Sequence, residues 1–262
     1  MSQTIYGVPG SFCWAELFTN NDSKSKDFYA HLFSWTYSQC PMPDGTEYNH
    51  ATISDGAVGG IMQINEDMKK QGMVPHWNAY IAVNDVDATI KTAIKFGAEV
   101  VMPAMDVPNA GRMAFIKDPT GAHISLWQSN NPDKKSAPRN AHGMVGWNEL
   151  MTTDAQKAKQ FYTNVFGWET VAEEFNGKSY ISYTLGGLFV AGMMEIGPEM
   201  GPMPSCWALY FTTNNLELSR RLAKDLGASE LSPVIDLPNI GKLVVIKDPQ
   251  DATFSLFEWA NK

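Results

Sequence analysis

The sequence is short of cysteine, of positive charge and of long apolar runs. Its three cysteines, Cys13, Cys40 and Cys206, form no Cys-x-x-Cys pair, so reduced thiols in a cytosolic protein are the simplest interpretation. Lysine and arginine total 20 against 28 aspartates and glutamates, which argues against nucleic acid and anionic membranes as partners. The longest nearly apolar stretch, 186–194, is too short to cross a bilayer, and no signal peptide is recognisable. We therefore expect a cytoplasmic protein.

Motifs for nucleotide and acyl-transfer chemistry are missing as well. No Gly-x-Gly-x-x-Gly, no complete Gly-x4-Gly-Lys-Ser/Thr phosphate loop and no Gly-x-Ser-x-Gly elbow occurs. No two of the five histidines are spaced as metal ligands on one helix face. A 44% hydrophobic content over 262 residues nevertheless indicates a well-packed globular protein. A chain of this length needs no disulfide or metal to stabilise its core.

The chain repeats itself at an offset of 133 residues early and 130 residues late. The matching segments are WAELFT and WNELMT at 14–19 and 147–152, FYAHLFSW and FYTNVFGW at 28–35 and 161–168, VPNAG and LPNIG at 107–111 and 237–241, and IKDP at 116–119 and 246–249. A polar segment with two prolines lies between the halves and predicts a linker over 129–141. The repeat thus predicts two domains, 1–128 and 142–262.

Each half contains a weaker internal repeat of one strand, one helix and three strands. In the first module, residues 12–19 alternate like a strand, and 22–33 form a helix with Asp22 as N-cap and Ser34 at its end. The pattern restarts at His76. The expected elements are a strand over 77–84, a helix from Asp85 or Asp87 to Phe96 closed by Gly97, and strands near 99–102, 112–117 and 122–127. The segments 67–75 and 197–204 are predicted as loops between modules.

This arrangement resembles the vicinal oxygen chelate superfamily, which includes glyoxalase I, bleomycin-resistance proteins and extradiol dioxygenases. The resemblance is carried by the two FY…F-x-W segments, the helix ends Phe96-Gly97-Ala98 and Leu226-Gly227-Ala228, and the Lys-Asp-Pro turns at 117–119 and 247–249. It implies an α+β fold, in which four βαβββ modules form two tandem half-open β-barrel domains with helices outside. Because the superfamily hosts many chemistries and some pure binders, it does not by itself specify the function.

Catalytic members of the superfamily hold a divalent metal in the barrel through His, Gln or Glu on the first and last strands of each module. The corresponding positions here hold Trp14, Asn78, Trp147, Ala208, Ser125 and Ser255, and the two hairpin positions fall within 57–60 and 189–192. Trp, Ala and Gly cannot ligate a metal, and Asn and Ser are poor ligands for zinc, nickel or iron. We therefore expect no metal and no other cofactor.

Two glutamates are the candidate catalytic residues. Glu16 and Glu149 each lie two residues beyond a lost ligand position, so each is expected to point into the barrel. A carboxylate in an apolar cavity could act as a general base or anchor a cationic ligand. The alternative is a structural carboxylate that is hydrogen-bonded to a neighbouring backbone N–H or tyrosine.

Aromatic and small polar residues are expected to line the same cavities. The candidate ligand-binding residues are Trp14, Asn78, Tyr80, Ser125, Trp127, Trp147, Tyr210, Ser255, Phe257 and His50. A wall of flat rings suits a planar organic ligand, although aromatic side chains also fill ordinary cores. His50 matches Ser182 in an inner strand and could pair with Glu16 in the first domain alone, or could simply be a packed histidine.

These observations favour a protein that binds a small, partly aromatic organic molecule without metal, for sequestration or resistance. The alternative is a lyase, isomerase or dioxygenase of the glyoxalase type. Such an enzyme would need a non-standard divalent metal site around His50 and Glu16, or metal-free acid–base chemistry by the glutamates. A structural or regulatory role for the duplicated domains also stays open. Either a monomer or a homodimer is compatible with the duplication.

Overall fold

The first half of the chain follows the predicted order of strand, helix and three strands twice. The structure, a computed structural model, describes residues 7–42, 45–54, 56–131, 139–175 and 178–260. The elements of the first half are β1 (Phe12–Thr19), α1 (Asp22–Phe33), β2 (Thr36–Pro41), β3 (Glu47–Ile53), β4 (Gly56–Gln63), α2 (Glu66–Lys70), β5 (His76–Ala82), α3 (Val86–Lys95), β6 (Glu99–Val107), β7 (Gly111–Lys117) and β8 (His123–Ser129).

The second half repeats this order, with its last module interrupted after the helix. Its elements are β9 (Val145–Thr152), α4 (Ala155–Phe166), β10 (Glu169–Phe175), β11 (Lys178–Leu185), β12 (Leu188–Glu195), a 3-10 turn (Pro198–Met200), β13 (Cys206–Thr212), α5 (Leu216–Asp225), β14 (Ser229–Glu230), β15 (Ile235–Leu237), β16 (Gly241–Lys247) and β17 (Thr253–Trp259). Most of the predicted linker, 132–138, lies outside the described residues. The predicted domain bounds therefore stay a prediction.

The strands form two mixed sheets. The first has the order β2-β3-β4-β1-β5-β8-β7-β6, and the second has the order β10-β11-β12-β9-β13-β17-β16-β14, with β15 paired to β16. The first strand of each half runs parallel to the last strand of its own module, β1 to β4 and β9 to β12. Neither sheet closes into a barrel over the described strands. The predicted α+β class with half-open sheets is confirmed.

Short polar side chains start the helices, and one predicted cap is wrong. Asn21, not Asp22, is the N-cap of α1, because its side chain accepts a hydrogen bond from the backbone N–H of Lys24. Asp22 instead occupies the first helical turn, where its charge complements the helix dipole. Ser34 ends the helix in the left-handed conformation, as predicted. None of the helices in the described ranges has both the length and the apolar character that a bilayer crossing requires.

The first connection between modules is partly helical, although the sequence favoured a loop. The helix α2 begins behind Asn65, whose side chain accepts from the backbone N–H of Met68. Two ion pairs spaced by three residues, Lys69 with Glu66 and Lys70 with Asp67, support its single turn. These local contacts explain why so polar a segment is helical.

The contacts within the chain divide it into two compact units. Unit 1 takes its described residues from Met1–Trp14, Ala79–Lys135 and Trp147–Trp207. Within unit 1, α3 packs against α4. The phenol of Tyr162 on α4 donates to Asp118 Oδ2 at 2.9 Å and accepts a hydrogen bond from Trp207 Nε1 at 2.8 Å. A buried hydrogen-bonded triad thus links the second module, through Asp118, to the third, through Tyr162, and to the first strand of the fourth, through Trp207.

Unit 2 takes its described residues from Ala15–Asn78, Ser136–Gly146 and Ala208–Lys262. Within it, α1 packs against α5. Tyr29 Oη donates to Asp248 Oδ2 at 2.8 Å and accepts from Trp77 Nε1 at 3.0 Å. The FY segments and Lys-Asp-Pro turns that repeat in the sequence therefore meet each other inside each unit, one helix supplying the tyrosine and one turn the aspartate.

His76 in unit 2 is predicted to make folding depend on pH. Its ring stacks on Phe18 at 5.1 Å, and its Nδ1 lies 2.7 Å from the carbonyl oxygen of Val74. Burial lowers the pKa of His76 below its ordinary value. Below about pH 6.5 the unfolded chain then binds a proton that the folded chain does not, so stability falls as the pH drops. We expect urea unfolding at pH 7.5 and 5.5 to show a smaller drop for His76→Phe than for the wild type; equal drops would contradict this assignment.

Candidate functional site

The glutamate of the second half lies in a row of three residues that crosses three strands. The strand register pairs Ser182 on β11 with Gly192 on β12, and pairs Gly192 with Glu149 on β9. Tyr183, the neighbour of Ser182, packs its ring against Tyr162 of α4 and so faces the helix. Because side chains alternate along a strand, Ser182 points to the opposite, helix-free face of the sheet. We call Trp147, Glu149, Tyr180, Ser182 and Gly192 the second-half site; all five lie in unit 1.

Tyr180 spans the middle of this site. Its phenol accepts a hydrogen bond from Trp147 Nε1 at 3.2 Å and donates one to Glu149 Oε2 at 3.4 Å. A Cβ atom built on Gly192 would collide with the phenol oxygen of Tyr180 and would approach Trp147 Nε1 to 2.9 Å. The space in which a side chain at position 192 would lie is therefore filled by the phenol. Glycine is required there by this close approach rather than by its backbone angles.

The site keeps Tyr180 neutral. Burial raises the pKa of Tyr180 well above its ordinary value, and the neighbouring charge of Glu149 raises it further. The phenol is thus a hydrogen-bond donor over the whole physiological pH range. Glu149 itself is only 8% exposed and lies at the acceptor end of the chain that runs from Trp147 through Tyr180. This arrangement combines a structural hydrogen bond, which the sequence left as one alternative, with a polar group on the helix-free face.

A third polar pair extends the site towards β10. Glu173 pairs with Tyr180 across the β10–β11 ladder, and Ser182 Oγ donates a hydrogen bond to Glu173 Oε2. The charge of Glu173 also contributes to the raised pKa of Tyr180. The face around Tyr180 therefore carries two carboxylates, which favours ligands that donate hydrogen bonds over ligands that carry negative charge.

The first half contains the same row in unit 2. Glu16 on β1 pairs with Gly60 on β4, and Gly60 pairs with His50 on β3. A Cβ atom on Gly60 would collide with the phenol oxygen of Tyr48. The rings of Tyr48 and His50 lie 4.9 Å apart, edge to face. We call Glu16, Tyr48, His50 and Gly60 the first-half site; it differs from the second-half site in holding an imidazole where the latter holds Ser182.

The other predicted ligand-binding residues of unit 1 lie on strands of the first and second modules. They are Trp14 on β1, Tyr80 on β5, and Ser125 and Trp127 on β8. Tyr80 neighbours Ser125 in the parallel ladder, and its ring lies 5.9 Å from that of Phe115. Tyr80 and Ser125 are buried, whereas Trp14 and Trp127 are half-buried. Their part in ligand binding stays a prediction.

Unit 2 holds the remaining predicted residues, namely Asn78 on β5, Tyr210 on β13, and Ser255 and Phe257 on β17. All four are buried. Tyr210 neighbours Ser255 in the parallel ladder and contacts the ring of Phe257 edge to face at 6.2 Å. The structure thus groups Tyr210, Ser255 and Phe257, and their role in binding likewise stays a prediction.

Sequence reasoning did not find Tyr48 and Tyr180. A usable signal existed, because Tyr48 and Tyr180 are 132 residues apart, and so are Gly60 and Gly192. An identical tyrosine and an identical glycine at one offset would have suggested a paired contact. Their direct approach, however, depends on the β3–β4 and β11–β12 registers, which the sequence predicts only to within two residues.

The residues present do not fit the divalent metal that the superfamily uses. An indole N–H has no lone pair for a metal, and Trp147 already uses that hydrogen on Tyr180. Gly192 has no side chain, and the space above it is filled by the phenol. Over the part of the chain that the structure describes, no three His, Cys, Asp or Glu side chains are grouped so that they could hold a metal ion. The donor set therefore differs in kind from that of a zinc, nickel or iron site.

Comparison with known protein families assigns the chain to a superfamily. The sequence matches the family described as the Glyoxalase/Bleomycin resistance protein/Dioxygenase superfamily twice, over residues 11–126 and 144–256. The chain belongs to this superfamily, and the tandem repeat read from the sequence is confirmed.

Two relatives that match this chain over nearly their whole length are named for different activities. The chain is 37% identical over 259 residues to "Putative glyoxylase CFP32" of Mycobacterium bovis, which covers 98% of this chain and 97% of that protein. It is 30% identical over 261 residues to "Anthracycline biosynthesis protein DauV" of Streptomyces sp. strain C5, covering 96% and 94%. Among solved structures, the Mn(II)-bound glyoxalase from Novosphingobium aromaticivorans aligns with a TM-score of 0.64 at 12% identity, covering 98% of this chain and 83% of that one. At this identity the likeness shows the fold alone.

Proposed function

We propose that this protein binds a small, partly aromatic organic molecule on the helix-free faces of its sheets, without a metal. The observation that carries the proposal is the Trp147–Tyr180–Glu149 chain over Gly192. Aromatic rings and a phenol stand where a metal-dependent member would need imidazole or carboxylate ligands. Flat apolar walls with a few convergent polar groups are typical of organic-ligand sites.

A glutamate in each half supplies the polar end of the proposed site. Glu16 is 5% exposed and Glu149 is 8% exposed, and each lies in a row with a bare glycine. A nearly buried carboxylate gains most from a ligand that donates hydrogen bonds to it, because such a bond is charge-assisted. The two candidate catalytic residues of the sequence analysis are therefore proposed as ligand-anchoring groups.

The metal-free part of the proposal predicts a low metal content. We expect protein purified without chelator or added metal to contain less than about a tenth of an equivalent of zinc, nickel, iron or manganese, since sites with proper ligands retain metal through purification. Elemental analysis by mass spectrometry measures this directly. Close to one equivalent per chain would overturn it and would favour the glyoxalase-type enzyme with a site around His50 and Glu16.

The binding part is tested with one defined probe, 2,6-dihydroxyanthraquinone, whose hydroxyl groups are not bonded to its own quinone carbonyls. The name of the Streptomyces relative connects that protein with anthracycline biosynthesis, which makes a planar hydroxyquinone a suitable first choice. Quenching of tryptophan fluorescence should report binding, because Trp147 belongs to the second-half site. We expect saturable quenching that weakens at least tenfold, about 1.4 kcal/mol, in Glu16→Gln/Glu149→Gln. No saturable quenching in the wild type would overturn the proposal.

A further inference from the structure

We propose that Tyr180 and its counterpart Tyr48 determine ligand specificity, by selecting molecules that carry a hydroxyl group on an aromatic ring. This inference rests on the proposed function and specifies the ligand class for the same site. The ligand hydroxyl would bridge the tyrosine phenol and the glutamate of the row, within hydrogen-bond distance of both. It would accept the hydrogen of the phenol and donate its own hydrogen to the carboxylate.

The length of the bond between Tyr180 and Glu149 is the first support. Their oxygens lie 3.4 Å apart, whereas an O–H donor and its acceptor oxygen usually lie about 2.7–2.8 Å apart. This hydrogen bond is therefore stretched and weak. A ligand hydroxyl whose oxygen forms a triangle with these two oxygens, about 2.7–2.8 Å from each, replaces one long bond by two of ordinary length, one of them to a carboxylate. A ligand without a hydroxyl group cannot donate the bond to the carboxylate.

The position of the phenol is the second support. Trp147 Nε1 donates to the phenol oxygen from one side, and the bare backbone of Gly192 lies directly beneath it. The oxygen is thus fixed against the sheet at a defined place. A fixed donor discriminates between ligands better than a mobile one, because binding then carries no entropy cost for ordering the donor.

The recurrence of the arrangement is the third support. Tyr48 lies against Gly60 as Tyr180 lies against Gly192, and each glycine pairs with a glutamate, Glu16 or Glu149. Tyr183 on β11 points to the opposite face of the sheet, which packs against the helix. Its phenol donates to Met193 Sδ at 3.2 Å in that core and takes no part in the site. The repeated element is thus a phenol, a glycine and a carboxylate, which is a hydroxyl-binding set.

The test measures selectivity between two probes. Dissociation constants for 2,6-dihydroxyanthraquinone, at a pH at which its hydroxyl groups are protonated, and for unsubstituted 9,10-anthraquinone are measured by tryptophan quenching in the wild type, in Tyr48→Phe/Tyr180→Phe and in Tyr183→Phe. We expect the wild type and Tyr183→Phe to prefer the hydroxylated probe at least tenfold, because a site built to bond a hydroxyl rejects the analogue that lacks it. In the double variant the preference should fall to within about twofold, since phenylalanine keeps the ring but not the donor.

The outcomes separate this inference from the proposed function. A double variant that binds both probes but keeps the wild-type preference overturns the role of the tyrosines and leaves the proposed function standing. A general loss of structure would weaken both probes alike, so a change in their ratio reports specificity rather than folding. If neither probe binds the wild type, the proposed function itself fails. Far-ultraviolet circular dichroism of each variant accompanies the titrations.

Discussion

Replacing Tyr162 with phenylalanine is expected to lower the free energy of unfolding by about 2–3 kcal/mol, because it removes a hydrogen bond to a buried carboxylate and the acceptor of an indole N–H. Asp118 is 3% exposed, and its other oxygen, Oδ1, already accepts from the N–H and hydroxyl of Thr120 and from the N–H of Ala122. The turn is therefore held in place, and Oδ2 cannot easily move to another donor. Urea denaturation followed by tryptophan fluorescence measures the loss.

Tyr37→Phe is the matched control for this variant. The phenol of Tyr37 donates at 3.0 Å to the backbone carbonyl of Lys26, a neutral acceptor at a partly buried place. Its loss should cost about 1 kcal/mol or less. Tyr29→Phe, which removes the equivalent bond to Asp248 in unit 2, should behave like Tyr162→Phe. If Tyr162→Phe were no more destabilised than Tyr37→Phe, the buried triad would have no special part in joining the modules.

The triad shows which parts of the fold were readable from the sequence. The FY segments and the Lys-Asp-Pro turns were recognised as repeats, and the order of strands and helices followed from them. The hydrogen bonds between these two motifs could not be predicted from the sequence, because Tyr29 and Asp248 are 219 residues apart, whereas Tyr162 and Asp118 are only 44 apart. Because the two tyrosine–aspartate separations differ so much, no repeated spacing in the sequence indicates the contact. Only the packing of α1 with α5, and of α3 with α4, brings the two motifs together.

The candidate site was likewise predicted only in part from the sequence. Alternation along β1 and β9 predicted that Glu16 and Glu149 share a strand face with Trp14 and Trp147, and the bond network around Glu149 agrees with this. Tyr180 was not predicted, and Gly192 was placed only within the range 189–192, because a phenol that lies over a neighbouring strand depends on register rather than on local pattern. The helix α2 was missed for a different reason, since its stability comes from a cap and two ion pairs rather than from an apolar face.

Gly192→Ala is expected to abolish binding at the second-half site and to destabilise the fold. In a strand, alanine is ordinarily favoured over glycine by about 0.5–1 kcal/mol, so the default expectation is a gain in stability. Here the new methyl group would occupy the place of the Tyr180 phenol oxygen and would lie 2.9 Å from Trp147 Nε1. The phenol must swing away and lose both of its hydrogen bonds. We expect a net loss of about 2 kcal/mol from these two bonds and the overpacked methyl.

A double-mutant cycle separates this collision from other effects of the methyl group. In Gly192→Ala/Tyr180→Ala the phenol that the methyl would strike is gone, so the added alanine should cost much less than it does in the wild-type background. Equal cost in both backgrounds would show that the glycine is needed for something other than Tyr180. For 2,6-dihydroxyanthraquinone we expect Gly192→Ala to remove one class of binding sites in calorimetry and Gly60→Ala to remove the other. A single variant that eliminated all binding would mean that only one half takes the ligand, and unchanged binding in both variants would contradict the site.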